Sequence, residues 1–274
     1  WIIACCLLLT LGRCSNWLDV IPEDSVDEKD LFSTGEGYRN ALNGVYRQMS
    51  QTSMYGQQMS WGFIDVLGQL YNTQKLSNYS AYGIAGKNYA YRDETVKSVI
   101  QVIWSNTYNS IANCNNIVGR ITGEDPSKFR GGEAEQHMIQ GEALALRAFL
   151  HFEVLRYWGE TPQNIAMEKI AIPYVTQVTK NPNSLLSLSY REVFEKILAD
   201  LNEAETLLAN DPITLYNNDA LNHPEYEGTT AAEAAYPSND FHFYRQIKFN
   251  YYAVKATKAR YYLWLGDTRT AARY

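Results

Sequence analysis

The sequence predicts a mostly α-helical chain, a repeat scaffold of paired helices carrying long irregular loop insertions. Three observations carry that prediction. Apolar residues recur at spacings of three and four along most of the chain, and sustained period-two runs are few. Small residues, among them Gly141, Ala145, Ala148, Ala253, Ala256 and Ala259, fall on two helices that each follow a helix with bulky side chains. Two stretches, 71–92 and 210–244, lose the helical period; both are rich in Asn and Tyr, the first with Gly and the second with Pro.

The elements follow in order. Leu31, Tyr38, Leu42, Val45, Tyr46 and Met49 mark a first amphipathic helix, and Trp61, Ile64, Asp65, Leu67 and Leu70 a second, after the loop around Gly56. From Tyr71 to Arg92 the period fails, with Gly83 and Gly86 read as backbone breakers. A long helix resumes near Glu94, carries Val99, Ile103, Trp104, Tyr108, Ile111 and Ile117 on one side, and stops before Gly123-Glu124-Asp125-Pro126. The next runs from Glu133 to Trp158, closed by Gly159 with Pro162 beyond. Ile172-Pro173-Tyr174-Val175 is predicted extended, because proline biases its predecessor away from helix. Ser189 caps a helix over Tyr190–Leu208, striped by Val193, Phe194, Ile197, Leu198 and Leu201. After the irregular 210–244 stretch a helix spans Arg245–Leu265, and Thr268–Tyr274 begins another.

Pairing Trp104…Tyr108 with Gly141…Ala148, and the helix around Phe194 with Ala253…Leu263, sets a bulky helix against a small-residue one in each case. That is the mechanical logic of tetratricopeptide units, at intervals stretched by inserted loops.

The first residues point outside the cytoplasm. The apolar run Ile2–Leu11 is about half the roughly 20 residues needed to span a bilayer, and it breaks at Leu11-Gly12-Arg13-Cys14 into polar sequence. It reads as an export signal over residues 1–14, with residues 15–274 as the mature helical region and Cys14 as the candidate lipid-bearing cysteine. Arg13 departs from the small residue usual before such a cysteine. Cleavage at Cys5, after Ala4, ranks second because it leaves apolar Cys6–Leu11 on the mature chain. With no initiating Met and a helix cut short at Tyr274, the chain is expected to be a fragment at both ends.

Composition removes some functions. The net charge is −6 with no basic stripe, which argues against nucleic acid as a partner. Cys114, alone beyond the signal, reads as a small buried apolar residue. His137, His151, His223 and His242 have no cysteine partners at metal spacing, Asp211–Asp219 lacks the oxygen spacing of a calcium loop, and no cofactor fingerprint occurs. Gly-x-Ser-x-Gly, the phosphate-binding glycine loop and His-Glu-x-x-His are absent from the sequence, which leaves glycosidase carboxylates, whose pairing is spatial, as the open enzymatic reading.

An ordered set of motifs now carries a resemblance. Cys14-Ser15-Asn16-Trp17-Leu18-Asp19-Val20 is followed by Gly37-Tyr38 through Ala41-Leu42-x-Gly44-Val45-Tyr46, then Trp104-x-x-x-Tyr108-x-x-Ile111-x-x-Cys114-Asn115. Gly141-Glu142-Ala143-x-Ala145-Leu146-Arg147-Ala148-Phe149, Tyr157-Trp158-Gly159 and Ile172-Pro173-Tyr174 complete the set. The chain resembles the N-terminal half of the SusD/RagB family of outer-membrane nutrient-binding lipoproteins. The resemblance implies a lipid-anchored, cell-surface protein that captures oligo- or polysaccharides without chemistry and delivers them to a SusC-like, TonB-dependent barrel. It transfers no ligand-binding residue, because the family's binding aromatics sit on variable loops.

The residues supply their own candidates. Pyranose rings present flat C–H faces that stack on aromatic rings, and their hydroxyls need polar partners. The 71–92 stretch offers Tyr79, Tyr82, Tyr89 and Tyr91, with Asn88 and Arg92 beside them, and its tyrosines are hard to place in a helical core. Trp61 and Asp65 lie one turn apart, within reach of a common cleft, with packing the preferred explanation for Trp61. Arg147, inside an apolar stripe, is expected to pair with carbonyls or an acid between helices. Asn113, Asn115 and Asn116 are expected to bind backbone at a helix junction. Two other classes remain open: a secreted helical-repeat adaptor that binds protein, and an all-α glycoside hydrolase, which would need facing carboxylates about 5–10 Å apart.

Overall fold

The computed structural model describes residues 28–179, 181, 185–226, 237 and 239–274. Among these, helices dominate. Glu28–Leu31 (α1) precedes Gly35–Met49 (α2), which Thr34 caps by accepting the Gly37 amide at 3.2 Å. Short helices Phe63–Leu67 (α3) and Ala81–Asn88 (α4) follow. The long pair comes next: Glu94–Ile121 (α5), capped by Asp93, and Gly132–Trp158 (α6), closed at Gly159. Strands Ile170–Pro173 (β1) and Ser187–Ser189 (β2) pair antiparallel, with Ile170 opposite Ser189. Ser189 and Glu192 form a capping box that starts Tyr190–Leu207 (α7). Pro212–Leu215 (α8), Asn218–Asn222 (α9), Tyr251–Trp264 (α10) and Thr268–Ala271 (α11) complete the order.

The long helices pack in series, α2 on α5, α5 on α6, α6 on α7 and α7 on α10. Helix α6 lies in the middle. Eighteen of its 27 residues are buried, so it is enclosed on nearly every side and its small residues serve contact with its neighbours. Gly141 shows why: a Cβ there would come within 2.8 Å of the Leu208 side chain on the far wall of the seam. Phe152, Leu155, Phe194, Ile197, Leu201 and Tyr261 fill the core between α6, α7 and α10. Tyr38, Leu42, Val45, Ile117, Ile139 and Leu146 fill that between α2, α5 and α6. A third core seats the 51–93 segment on the long helices through Met54, Met59, Phe63, Ile103, Ile111 and Leu150.

The buried charges on α6 each reach a different neighbour. Glu135 accepts from Arg39 on α2 at 2.6 Å, and Arg147 holds Asp200 on α7 through two bonds of 2.7 Å. Glu142 pairs with Arg245 at 2.5 Å, and Glu153 with Arg260 on α10 at 2.8 Å. Arg147 therefore has the acidic partner between helices that its position predicts, and its remaining nitrogen donates to Asn115 at 3.1 Å. Asn115 in turn donates to the Val175 carbonyl at 2.9 Å, a backbone contact with the loop after β1 and not with a second helix, whereas Asn113 bonds the Gln48 side chain. Cys114 is fully buried, and burial pushes its thiol up to about 12.

Several elements differ from expectation, the short helices α8 and α9 within the 210–244 stretch among them. The 71–92 stretch contains a helix, α4, where the lost periodicity predicts none. Its glycines are contact points, not breakers: a Cβ on Gly83 would fall 1.8 Å from the Ser77 carbonyl oxygen, and one on Gly86 2.7 Å from Val66. The predicted helix over Arg245–Leu265 begins at Tyr251, capped by Asn250, while Arg245–Ile247 is a 3-10 turn. Burial of Arg245 against Asp211 and Glu142 explains the late start, since a buried guanidinium is placed where its carboxylates are. The first predicted helix is divided into α1 and α2, because Thr34 caps a new start.

Candidate functional site

Residues 51–93 form a small lobe on one end of the α5–α6 pair. Its inside is apolar, with Met54, Met59, Phe63, Val66 and Ala85 buried. Its outside carries bare aromatic rings. Trp61 is 56% exposed, Tyr71 42%, Tyr89 46%, Tyr91 50% and Tyr79 91%; outside the lobe Tyr244, Tyr252 and Tyr274 are also exposed, but spread over the chain, while Tyr38, Tyr174, Tyr190 and Tyr261 are buried.

The polar ends of several rings are held. The Tyr71 hydroxyl donates to the Trp61 carbonyl, and that of Tyr89 donates to the Leu67 carbonyl at 3.2 Å. A hydroxyl fixed on backbone leaves the ring face as the free part of the side chain, which is the part a sugar stacks on. Tyr89 and Tyr91 stand side by side, ring centroids 6.2 Å apart and planes inclined by 47°. The Tyr91 amide donates to the Tyr89 carbonyl at 2.8 Å, which fixes that spacing.

The predicted residues do not gather at one place. Tyr89 and Tyr91 are brought together, with Asn88 and Arg92 exposed beside them. Trp61 lies next to Tyr71, and half-buried Asp65 is in the first turn of α3. Tyr79 precedes α4 while Tyr89 follows it, so the two are separated by the helix length, about 12 Å for eight residues. Tyr82 turns inward: its hydroxyl donates to Gln58 at 2.8 Å and its ring lies 6.1 Å from Phe63. Burial raises its pKa, and its role in the lobe is packing. Cys14 lies outside the described residues. Gln58 and Gln69 also shape the lobe, and nothing in their spacing distinguishes them from other surface glutamines.

The wider concavities are elsewhere. An open depression of about 360 Å³ between α1, α2 and α5 is lined by Phe32, Asn40, Gly44, Asn113 and Asn116. Another, of about 310 Å³, lies beside Arg39, Asp240 and Tyr244. Depth does not select the site, because stacking requires exposed ring faces: the first depression has none, Phe32 being 7% exposed and covered by Arg120, and the second offers one exposed ring, Tyr244, against the several on the lobe. Among the described residues no group of three or more His, Cys, Asp or Glu side chains could hold a metal ion. Among the same residues no helix is long and apolar enough to cross a membrane.

Residues 16–225 match the sequence model of a SusD-like family described as starch-binding and associating with the outer membrane. The chain belongs to the SusD-like family. SusD-like protein P2 of Formosa agariphila is 23% identical over 210 residues, which cover 74% of this chain and 36% of that protein. SusD-like protein P38 of the same organism is 26% identical over 213 residues, covering 75% and 37%. The chain thus spans about a third of the length of these curated relatives. A SusD homolog from Bacteroides thetaiotaomicron superposes with a TM-score of 0.56 at 22% identity, covering 87% of this chain and 37% of that one. A SusD-like carbohydrate binding protein from Bacteroides vulgatus gives 0.57 at 18% identity, covering 88% and 44%. At these identities the structures establish the SusD-like fold, and the helical-repeat architecture predicted from the sequence is that fold.

Proposed function

We propose that this SusD-like chain captures oligo- or polysaccharides at the cell surface and that the 51–93 lobe is where it holds them. The observation that carries the reading is the set of exposed rings on that lobe, with Tyr71 and Tyr89 tied by their hydroxyls to backbone and their faces left bare. Asp65, Asn72, Asn88 and Arg92 supply nearby hydrogen-bonding groups for ring hydroxyls. Capture involves no covalent chemistry. The glycan then passes to a SusC-like, TonB-dependent transporter, and a lipid on Cys14 holds the protein to the outer membrane.

Two experiments test the reading. Affinity electrophoresis of the purified protein through a panel of polysaccharides is expected to show retardation by at least one glycan, with no release of shorter products. Catalytic cleavage would refute it, and no retardation by any glycan would move the ligand class to peptides or the role to a protein-binding adaptor. Replacing Cys14 by Ala is expected to move the protein from the membrane fraction to the soluble one. Unchanged membrane retention would remove Cys14 as the anchor.

A further inference from the structure

The 51–93 lobe holds two non-glycine residues in the left-handed backbone region, Gln69 with φ 59° and Tyr89 with φ 50°. Each stands just past a helix: Gln69 follows Gly68, the C-cap of α3, and Tyr89 is the C-cap of α4. Residues with a Cβ persist there where their surroundings over-determine the conformation. Here the surroundings are reciprocal. Gln69 Nε2 donates to the Gly86 carbonyl in the last turn of α4 at 2.7 Å, and the Tyr89 hydroxyl donates to the Leu67 carbonyl at the end of α3 at 3.2 Å. Each residue caps the other's helix, at a carbonyl in the terminal turn where intrahelical partners run out.

We propose that Gln69 and Tyr89 form a two-way latch between α3 and α4 that sets the exposed rings in one arrangement, with Gln69 as a positioning residue that does not touch the sugar. The proposal rests on the glycan-binding reading of this lobe. Three rings hang from the joint. Tyr89 is part of it, Tyr91 is fixed to the Tyr89 carbonyl, and Tyr71 lies two residues past Gln69 with its hydroxyl on Trp61. Gly86, lacking a side chain, lets α4 close onto Val66 and Thr73 so that both ties reach. An open joint would leave the rings in many arrangements, and the apparent affinity would fall with the fraction that stays competent.

Two variants separate positioning from contact. Gln69→Asn keeps a residue type that tolerates the left-handed region but is one methylene too short for the Gly86 carbonyl. Tyr89→Phe keeps the ring and removes only the hydroxyl. Amide hydrogen exchange on the intact protein and the Kd for whichever glycan retards the wild type are measured for each variant and for the pair. Exchange is expected to rise about tenfold at residues 84–91 alone, with the thermal midpoint unchanged. The Kd should weaken by about tenfold in Gln69→Asn. The double variant should lose less than the product of the two, because either substitution opens the same joint. Unchanged local exchange in Gln69→Asn overturns the latch. Faster exchange throughout the protein also overturns it, since Gln69 would then be a general stabiliser. Faster local exchange with an unchanged Kd overturns the positioning role. A wild type retained by no glycan refutes the glycan reading instead, and the exchange result still decides the latch.

Discussion

Replacing Arg245 by Met is expected to lower the free energy of unfolding by about 3–5 kcal/mol, the cost of removing one partner from a fully buried ion pair. Arg245 has no exposed surface. It donates through Nε and Nη2 to Asp211 at 2.9 and 2.5 Å, and through Nη1 to Glu142 at 2.5 Å. Burial alone would lower the guanidinium pKa, and the two carboxylates more than reverse that, so the charge is held firmly. The substitution would leave both carboxylates buried with no cation, while Tyr46 still donates to Glu142 and the Tyr251 amide to Asp211. Urea unfolding followed by far-ultraviolet circular dichroism measures the loss. Because the cluster joins α6 to the segment before α10, the same variant should loosen α10 before α2 and α5, read as earlier amide exchange over 251–264. A loss under 1 kcal/mol would mean that the segment relaxes enough to solvate both carboxylates.

Acid should destabilise the protein through one buried imidazole. His151 Nδ1 donates to the Arg147 carbonyl at 2.9 Å, its Nε2 accepts from the Val175 amide at 2.9 Å, and its ring stacks on Tyr174 at 3.9 Å. An imidazole that accepts at Nε2 is neutral, and burial lowers its pKa to about 3. The folded pKa lies below the unfolded value of about 6.5, so the unfolded chain binds the proton more tightly. Stability from this group is therefore complete above about pH 6.5 and is lost as the pH falls towards 3. Between pH 7.5 and 5 the loss is about 2 kcal/mol. His151→Leu should flatten that part of the pH profile while lowering stability at pH 7.5, since the Val175 amide and the Arg147 carbonyl lose their partner. An equally steep fall between pH 7.5 and 5 in the variant would assign the acid sensitivity to other groups.

The helical frame is legible wherever helix period and capping chemistry agree. Ser189 starts α7 at the residue that capping predicts, α5 begins at Glu94 where the resumed period places it, and Gly159 closes α6. The buried role of Arg147 is legible too, because a guanidinium amid alanines and leucines has few other solutions. Long-range packing defeats local patterns elsewhere. Gly83 and Gly86 look like breakers, and only the proximity of Ser77, Val66 and Thr73 reveals them as contact points in a helix. Arg245 looks like a helix start, and only Asp211 and Glu142, 34 and 103 residues away in sequence, explain why it is not. In the lobe, the excess of tyrosine is visible from the sequence, but which rings turn outward is not. Tyr82 and Tyr89 lie in the same aperiodic stretch, and the fold sends one onto Phe63 and leaves the other exposed.

The most direct test of the account is calorimetric titration of the protein with the oligosaccharide form of a retained glycan, for the wild type and for Trp61→Ala, Tyr89→Ala and Tyr91→Ala. Removing a ring that stacks on a sugar is expected to weaken binding by on the order of tenfold while leaving the thermal midpoint in place, because these rings are exposed in the free protein. Wild-type affinity in all three variants would contradict the account and place the glycan elsewhere on the molecule.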